Sequence, residues 1–187
     1  LNVVSVLGLQ SAHRFGAKLL YQAGVPSGID AVAIAPYFGG ALSRKPEYVE
    51  QLLQKGLPYL FEQCRASIEE KRDEVAWHTA AARKANLEIL AYEAGQHLVA
   101  AGKAKNNEQL VNLLIEANRS PEMFELYQQY FDNWNGVTND ALICHFNSVS
   151  SFGKHGSWGM MEYEGQPADQ APKYRAVLAA MGLVSAT

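Results

Sequence analysis

Four short stretches of the chain are almost wholly apolar: residues 3–9, 29–37, 87–93 and 141–147. Each is strand-sized and continuous rather than alternating, the pattern of a strand covered on both faces. Between and after them, apolar residues recur at helical spacing. The periodicity predicts helices over 13–23, over 47–53 and then 58–85, over 108–116 and 121–134, and over 172–181. Ser120-Pro121-Glu122 reads as a helix start, and so does Asn107-Glu108, where Asn caps and Glu favours the dipole. Gly24, Gly102, Gly136 and Gly182 fall near helix ends or turns. Strand then helix, four times over, implies a parallel α/β sheet with right-handed crossovers. The expected fold is four βα units, half of a closed TIM (β/α)8 barrel.

Strand parity refines that expectation. If Tyr37 points into a barrel interior, Ala31, Ala33 and Ala35 point there too, while Val32 and Ile34 face the helices. On the third run, Glu93 shares a face with Ala91 and Ile89, and Tyr92 shares the other with Leu90. No composition shift marks a linker, so residues 1–187 read as one half-barrel domain. Four βα units leave two open sheet edges and an apolar inner face, both unfavourable in water. Closure with a second copy, as a homodimer, or with an N-terminal half-barrel would remove both edges.

Composition narrows the partners. The chain is 48% hydrophobic and 19% charged with a net charge of −3, which disfavours disorder and an electrostatic nucleic-acid binder. No apolar run approaches the roughly 18 residues that span a bilayer, so a soluble protein is expected. The compartment is left open. The chain starts at Leu1 with no charged leader region, so no signal peptide is visible, and a secreted parent is compatible with the sequence. Cys64 and Cys144, the only cysteines, show no metal or redox spacing and read as free thiols. His13, His78, His145 and His155 lack ligand spacing, and neither a metal nor a cofactor is expected.

The chemistry-bearing residues collect at the strand ends. Glu93 closes an apolar run and has few structural reasons to do so, which makes it the candidate catalytic carboxylate. Tyr37 ends the second run, Gln96 and His97 follow Glu93, and Trp158 lies in the glycine-rich segment after the fourth run. Carboxylates for the anomeric carbon, amide and imidazole groups for hydroxyls, and aromatic faces for apolar sugar faces suit a carbohydrate ligand. Glu162, near Trp158, is a possible second carboxylate, with a loop ion pair as its other reading.

Three motifs carry a family resemblance: Ala35-Pro36-Tyr37-Phe38-Gly39, Ala91-Tyr92-Glu93-Ala94-Gly95-Gln96-His97 and Trp158-Gly159-Met160-Met161-Glu162-Tyr163. Together they resemble strands five to eight of a (β/α)8 retaining glycoside hydrolase of the large cellulase and β-glycosidase clan. The resemblance implies Glu93 as nucleophile, Tyr37 beside it, Trp158 lining a sugar subsite, and a β-linked poly- or oligosaccharide substrate. The clan's acid/base Glu, at the end of strand four, has no counterpart. Asn107-Glu108 is a helix start and does not supply it. A retaining mechanism needs two carboxyl groups about 5–5.5 Å apart, so weak or absent activity is expected of this chain. Two other readings stay open: a non-catalytic carbohydrate-binding or structural half-barrel, and a phosphate-binding metabolic one.

Overall fold

The structure, a computed structural model, describes residues 3–185. Among them are five α-helices and a three-stranded parallel sheet of order β1-β2-β3. The strands are β1, Val6–Gly8; β2, Ala31–Ile34; and β3, Glu88–Ala91. The helices are α1, Arg14–Ala23; α2, Pro46–Lys84; α3, Glu108–Arg119; α4, Glu122–Thr138; and α5, Pro172–Ala180. Every periodic stretch expected to be helical is helical.

The expectation of four βα units, half of a TIM barrel, is overturned by the sheet, which has three strands. The fourth apolar run meets β3 at one parallel bridge, Ala91 with Ile143. Two hydrogen bonds make it, Ala91 N to Leu142 O at 3.0 Å and Cys144 N to Ala91 O at 2.9 Å. The pairing is not continued into a ladder beyond this bridge. Asn147 donates its N–H to Trp158 O at 3.2 Å and accepts from Met160 N at 2.8 Å. Upstream, Asn139 and Asp140 adopt positive φ angles of 64° and 60°, which ends extended structure before the run begins. The four-stranded premise for closing two half-barrels is therefore not met.

The chain divides into two compact units. The first holds the described residues up to Pro36 with Glu69–Ala94 and Asn133–His145, and contains the sheet. Its central strand β2 is buried at every position, so both of its faces are covered, as a continuous apolar run requires. β1 is an edge, with Val6 46% exposed. In this unit Trp134 Nε1 donates to Ala141 O at 2.8 Å, and His78, fully buried, bonds Ser11 O through Nε2 at 2.9 Å.

The second unit holds Tyr37–Ile68, Gly95–Asp132 and the described residues from Phe146 onward. Its core is aromatic: Phe38 lies 5.7 Å from the Tyr127 ring and 5.3 Å from the Tyr130 ring, with Phe131 5.8 Å from each of those tyrosines. Met123, Leu126, Tyr127 and Tyr130 lie at i, i+3, i+4 and i+7 along α4, which gives it one buried stripe. Asn107 caps α3 by accepting from Leu110 N at 3.0 Å, as its sequence signal implies. Ser120 instead turns back, its Oγ donating to Glu116 O at the end of α3 at 3.0 Å. α2 breaks at Gly56, whose φ of 67° suits glycine, two residues before Pro58. This break is the gap between the two predicted helical stretches.

Candidate functional site

A single parallel bridge between Phe38 and Gln96 organises the site in the second unit. Phe38 N donates to Gly95 O at 3.1 Å and His97 N to Phe38 O at 2.8 Å. Phe38 and Gln96 are both turned into the core. Alternation along extended backbone therefore sends their neighbours Tyr37 and His97 the other way, as a pair. Their rings are edge to face with centroids 5.7 Å apart.

Trp158 completes the group from the 146–161 segment. Its ring centroid is 5.1 Å from His97, 6.0 Å from Tyr37 and 6.1 Å from Phe146, all edge-on. Tyr37, His97 and Trp158 are half-buried, and Phe146 is exposed. Edge-to-face contacts are the favoured geometry for aromatic pairs. The Trp158 indole is also held through Nε1, which donates to His155 O at 2.9 Å. Gly156, at φ 114°, makes room for that ring: a Cβ there would come within 2.2 Å of Trp158 Nε1.

Gln96 plays a different part from a ligand donor. It is 2% exposed, its Oε1 accepts from Leu98 N at 2.6 Å, and its Nε2 donates to Ser157 O at 2.8 Å. Its amide thus ties the His97 segment to the residue preceding Trp158. Lys173, on α5, reaches the same oxygen: Nζ lies 2.5 Å from Ser157 O, 2.9 Å from Asn118 Oδ1 and 4.4 Å from the centre of the Phe152 ring. Burial lowers the Lys173 pKa to about 7, with the Glu162 carboxylate opposing.

Arg44 flanks the cluster, its Nη2 donating to His97 Nε2 at 3.3 Å. Burial lowers the His97 pKa from its ordinary value, a hydrogen bond to its own backbone opposing and the Arg44 charge adding to the fall. The imidazole is therefore neutral near pH 7, and an Nε2 that accepts from Arg44 leaves the ring proton on Nδ1. Arg44 also lines a cavity of about 700 Å³ with Ser43, Pro46, Val49, Glu50, Leu53 and Lys103.

Glu162 is engaged in an ion pair: Arg119 grips it with two nitrogens, Nε at 2.9 Å and Nη2 at 2.5 Å. Glu93 belongs to the sheet-bearing unit, half-buried and two residues beyond the end of β3. Four residues at the site carried no separate sequence signal: Arg44, Phe146, Ser157 and Lys173.

Among the described residues no three His, Cys, Asp or Glu side chains gather to hold a metal ion. No helix among them is long and apolar enough to cross a membrane. Compared with protein-family models, curated proteins and solved structures, the chain matches none.

Proposed function

We propose that this chain binds a β-linked poly- or oligosaccharide, with Trp158, Tyr37 and His97 as the surface against which a sugar ring lies. The observation that carries this reading is the cluster itself. Three half-buried rings stand edge-on within about 6 Å of one another, fixed by backbone bonding rather than sunk in the aromatic core of Phe38, Tyr127 and Tyr130. Sugar rings offer apolar C–H faces to such surfaces and hydroxyls to polar groups at their margin, here the Arg44 guanidinium. The cavity that Arg44 also lines gives room for further sugar units.

Calorimetric titration with cellohexaose, xylohexaose and mannohexaose tests the reading. At least one should bind, and Trp158→Ala should weaken it about tenfold, as expected for loss of about 1.4 kcal/mol of aromatic contact. No binding by any of the three at millimolar concentration, or equal binding by Trp158→Ala, would overturn it.

A hydrolytic reading rests on a separate observation, the place of Glu93 just past the carboxyl end of β3, the end at which parallel α/β sheets present their ligand-contacting side chains. In that reading Glu93 is the nucleophile on an O-glycosidic bond. Its weakness is the second carboxyl group, since Glu162 is held by Arg119. Glu93→Gln should then abolish release of nitrophenol from aryl β-glycosides while leaving sugar binding intact. An unchanged rate excludes Glu93.

A further inference from the structure

A lysine with no exposed surface is rare, and rarer without a carboxylate at ion-pair distance. Lys173 is 0% exposed, and among the described residues it forms no ion pair. Its ammonium is satisfied by Ser157 O, Asn118 Oδ1 and the face of Phe152 instead. A neutral side chain of similar length would pack the same space without the desolvation cost, so the position calls for an explanation beyond packing.

The explanation lies in what Ser157 O is attached to. It belongs to the planar peptide that joins Ser157 to Trp158, so fixing that oxygen fixes the orientation of the Trp158 backbone. Two donors converge on it, Lys173 Nζ at 2.5 Å and Gln96 Nε2 at 2.8 Å, using the acceptor capacity of one carbonyl. Gln96 comes from the segment that carries His97, and Lys173 from α5, so the peptide before Trp158 is tied to two separate elements.

We propose that Lys173 is a positioning residue which, with Gln96, pins the Ser157 carbonyl and thereby sets the pose of Trp158 against His97 and Tyr37. Its value for a ligand rests on the carbohydrate-binding reading, whereas the pin itself does not. Charge strengthens the bond from Nζ to the carbonyl and the contact with Phe152. Because burial brings the Lys173 pKa down to about 7, that charge is present below neutrality and is lost as pH rises through this value. Around Nζ stand Asn118 and the partially opposing Glu162, itself bound to Arg119; around the Trp158 ring stand His97 with Arg44 behind it, Tyr37, and the His155 carbonyl.

The test reads Trp158 directly, from its indole N–H resonance in ¹⁵N-labelled protein, assigned by its absence in Trp158→Phe. Between about pH 5 and about pH 9 the resonance should shift with a midpoint near that of Lys173. The shift should persist in His97→Gln and His155→Gln, and vanish in Lys173→Met. Lys173→Arg, charged throughout, should also show no midpoint and should stay near the low-pH position of the wild type; it serves alone if the Met variant does not fold. A Trp158 resonance that does not titrate, or that titrates unchanged in both Lys173 variants, overturns the proposal. Titration by Trp158 without binding of any oligosaccharide would sink the binding reading and leave the pin standing. Binding that depends on Trp158 without titration would do the reverse.

Discussion

Replacing Lys173 by Met should change the stability of the protein by an amount that depends on pH in a calculable way. The lysine pKa is about 7 in the folded chain and 10.5 as the unperturbed value. Between these two values the unfolded chain holds a proton that the folded chain has released. Stability therefore rises with pH across that window, and is lowest below it, where the fold must bury the charge. From about pH 6 to about pH 9 the lysine should add about 3 kcal/mol to wild-type stability, most of the two pH units above its folded pKa at about 1.4 kcal/mol each. Lys173→Met removes this dependence. It also leaves Ser157 O and Asn118 Oδ1 each short of a donor, a cost of about 1–3 kcal/mol that does not vary with pH. Urea titrations of both proteins at the two pH values, followed by circular dichroism, give the double difference in which that constant cost cancels, and urea adds no ionic screening. The advantage of the variant over wild type should fall by about 3 kcal/mol on going to the higher pH. A difference that stays within about 0.5 kcal/mol would refute the reasoning, because it would mean that the lysine keeps its ordinary pKa in the fold.

Gly156→Ala should disturb the aromatic cluster more than its size suggests, since a Cβ would fall 2.2 Å from Trp158 Nε1 and φ is 114°. The measurement is the Trp158 indole resonance together with oligosaccharide affinity, both of which should change. Gly56→Ala should cost about 1 kcal/mol in a urea titration, and from the backbone alone: φ is 67° and no atom lies within 4 Å of the added carbon. In the native protein one thiol should react promptly with Ellman's reagent. Cys144 is exposed, whereas Cys64 is buried with its pKa pushed up to about 12 by desolvation, the Arg65 charge opposing. Cys144→Ser should abolish the fast phase.

The helices were legible in the sequence because their signals are local. Apolar spacing over 108–116, the Asn107 cap, and the interruption between 53 and 58 all act within a few residues of where they are read. The parallel strands were legible for a related reason: a run such as Ala31–Ile34, apolar at every position, has to be covered on both faces wherever it lies. How many runs join the sheet is not local. The 141–147 run has the composition of a strand, yet it pairs with β3 at Ile143 alone, and Asn147 bonds Trp158 and Met160 further along the chain. Composition cannot foresee how far a pairing runs, and the half-barrel expectation failed at that point.

The site divides along the same line. Tyr37, His97 and Trp158 stood out by residue type and by their place at strand ends and in a glycine-rich segment, and those properties are written in the chain itself. That Gln96 spends its amide on Leu98 and Ser157, that Arg119 holds Glu162, and that Lys173 lies wholly buried were decided by contacts between residues 2 and 61 positions apart for Gln96, 43 for Arg119, and 16 and 55 for Lys173. A lysine or glutamine in a sequence carries no mark of what it will donate to. Only the folded chain, by removing water from those groups, obliges each to find a partner and so gives it a role.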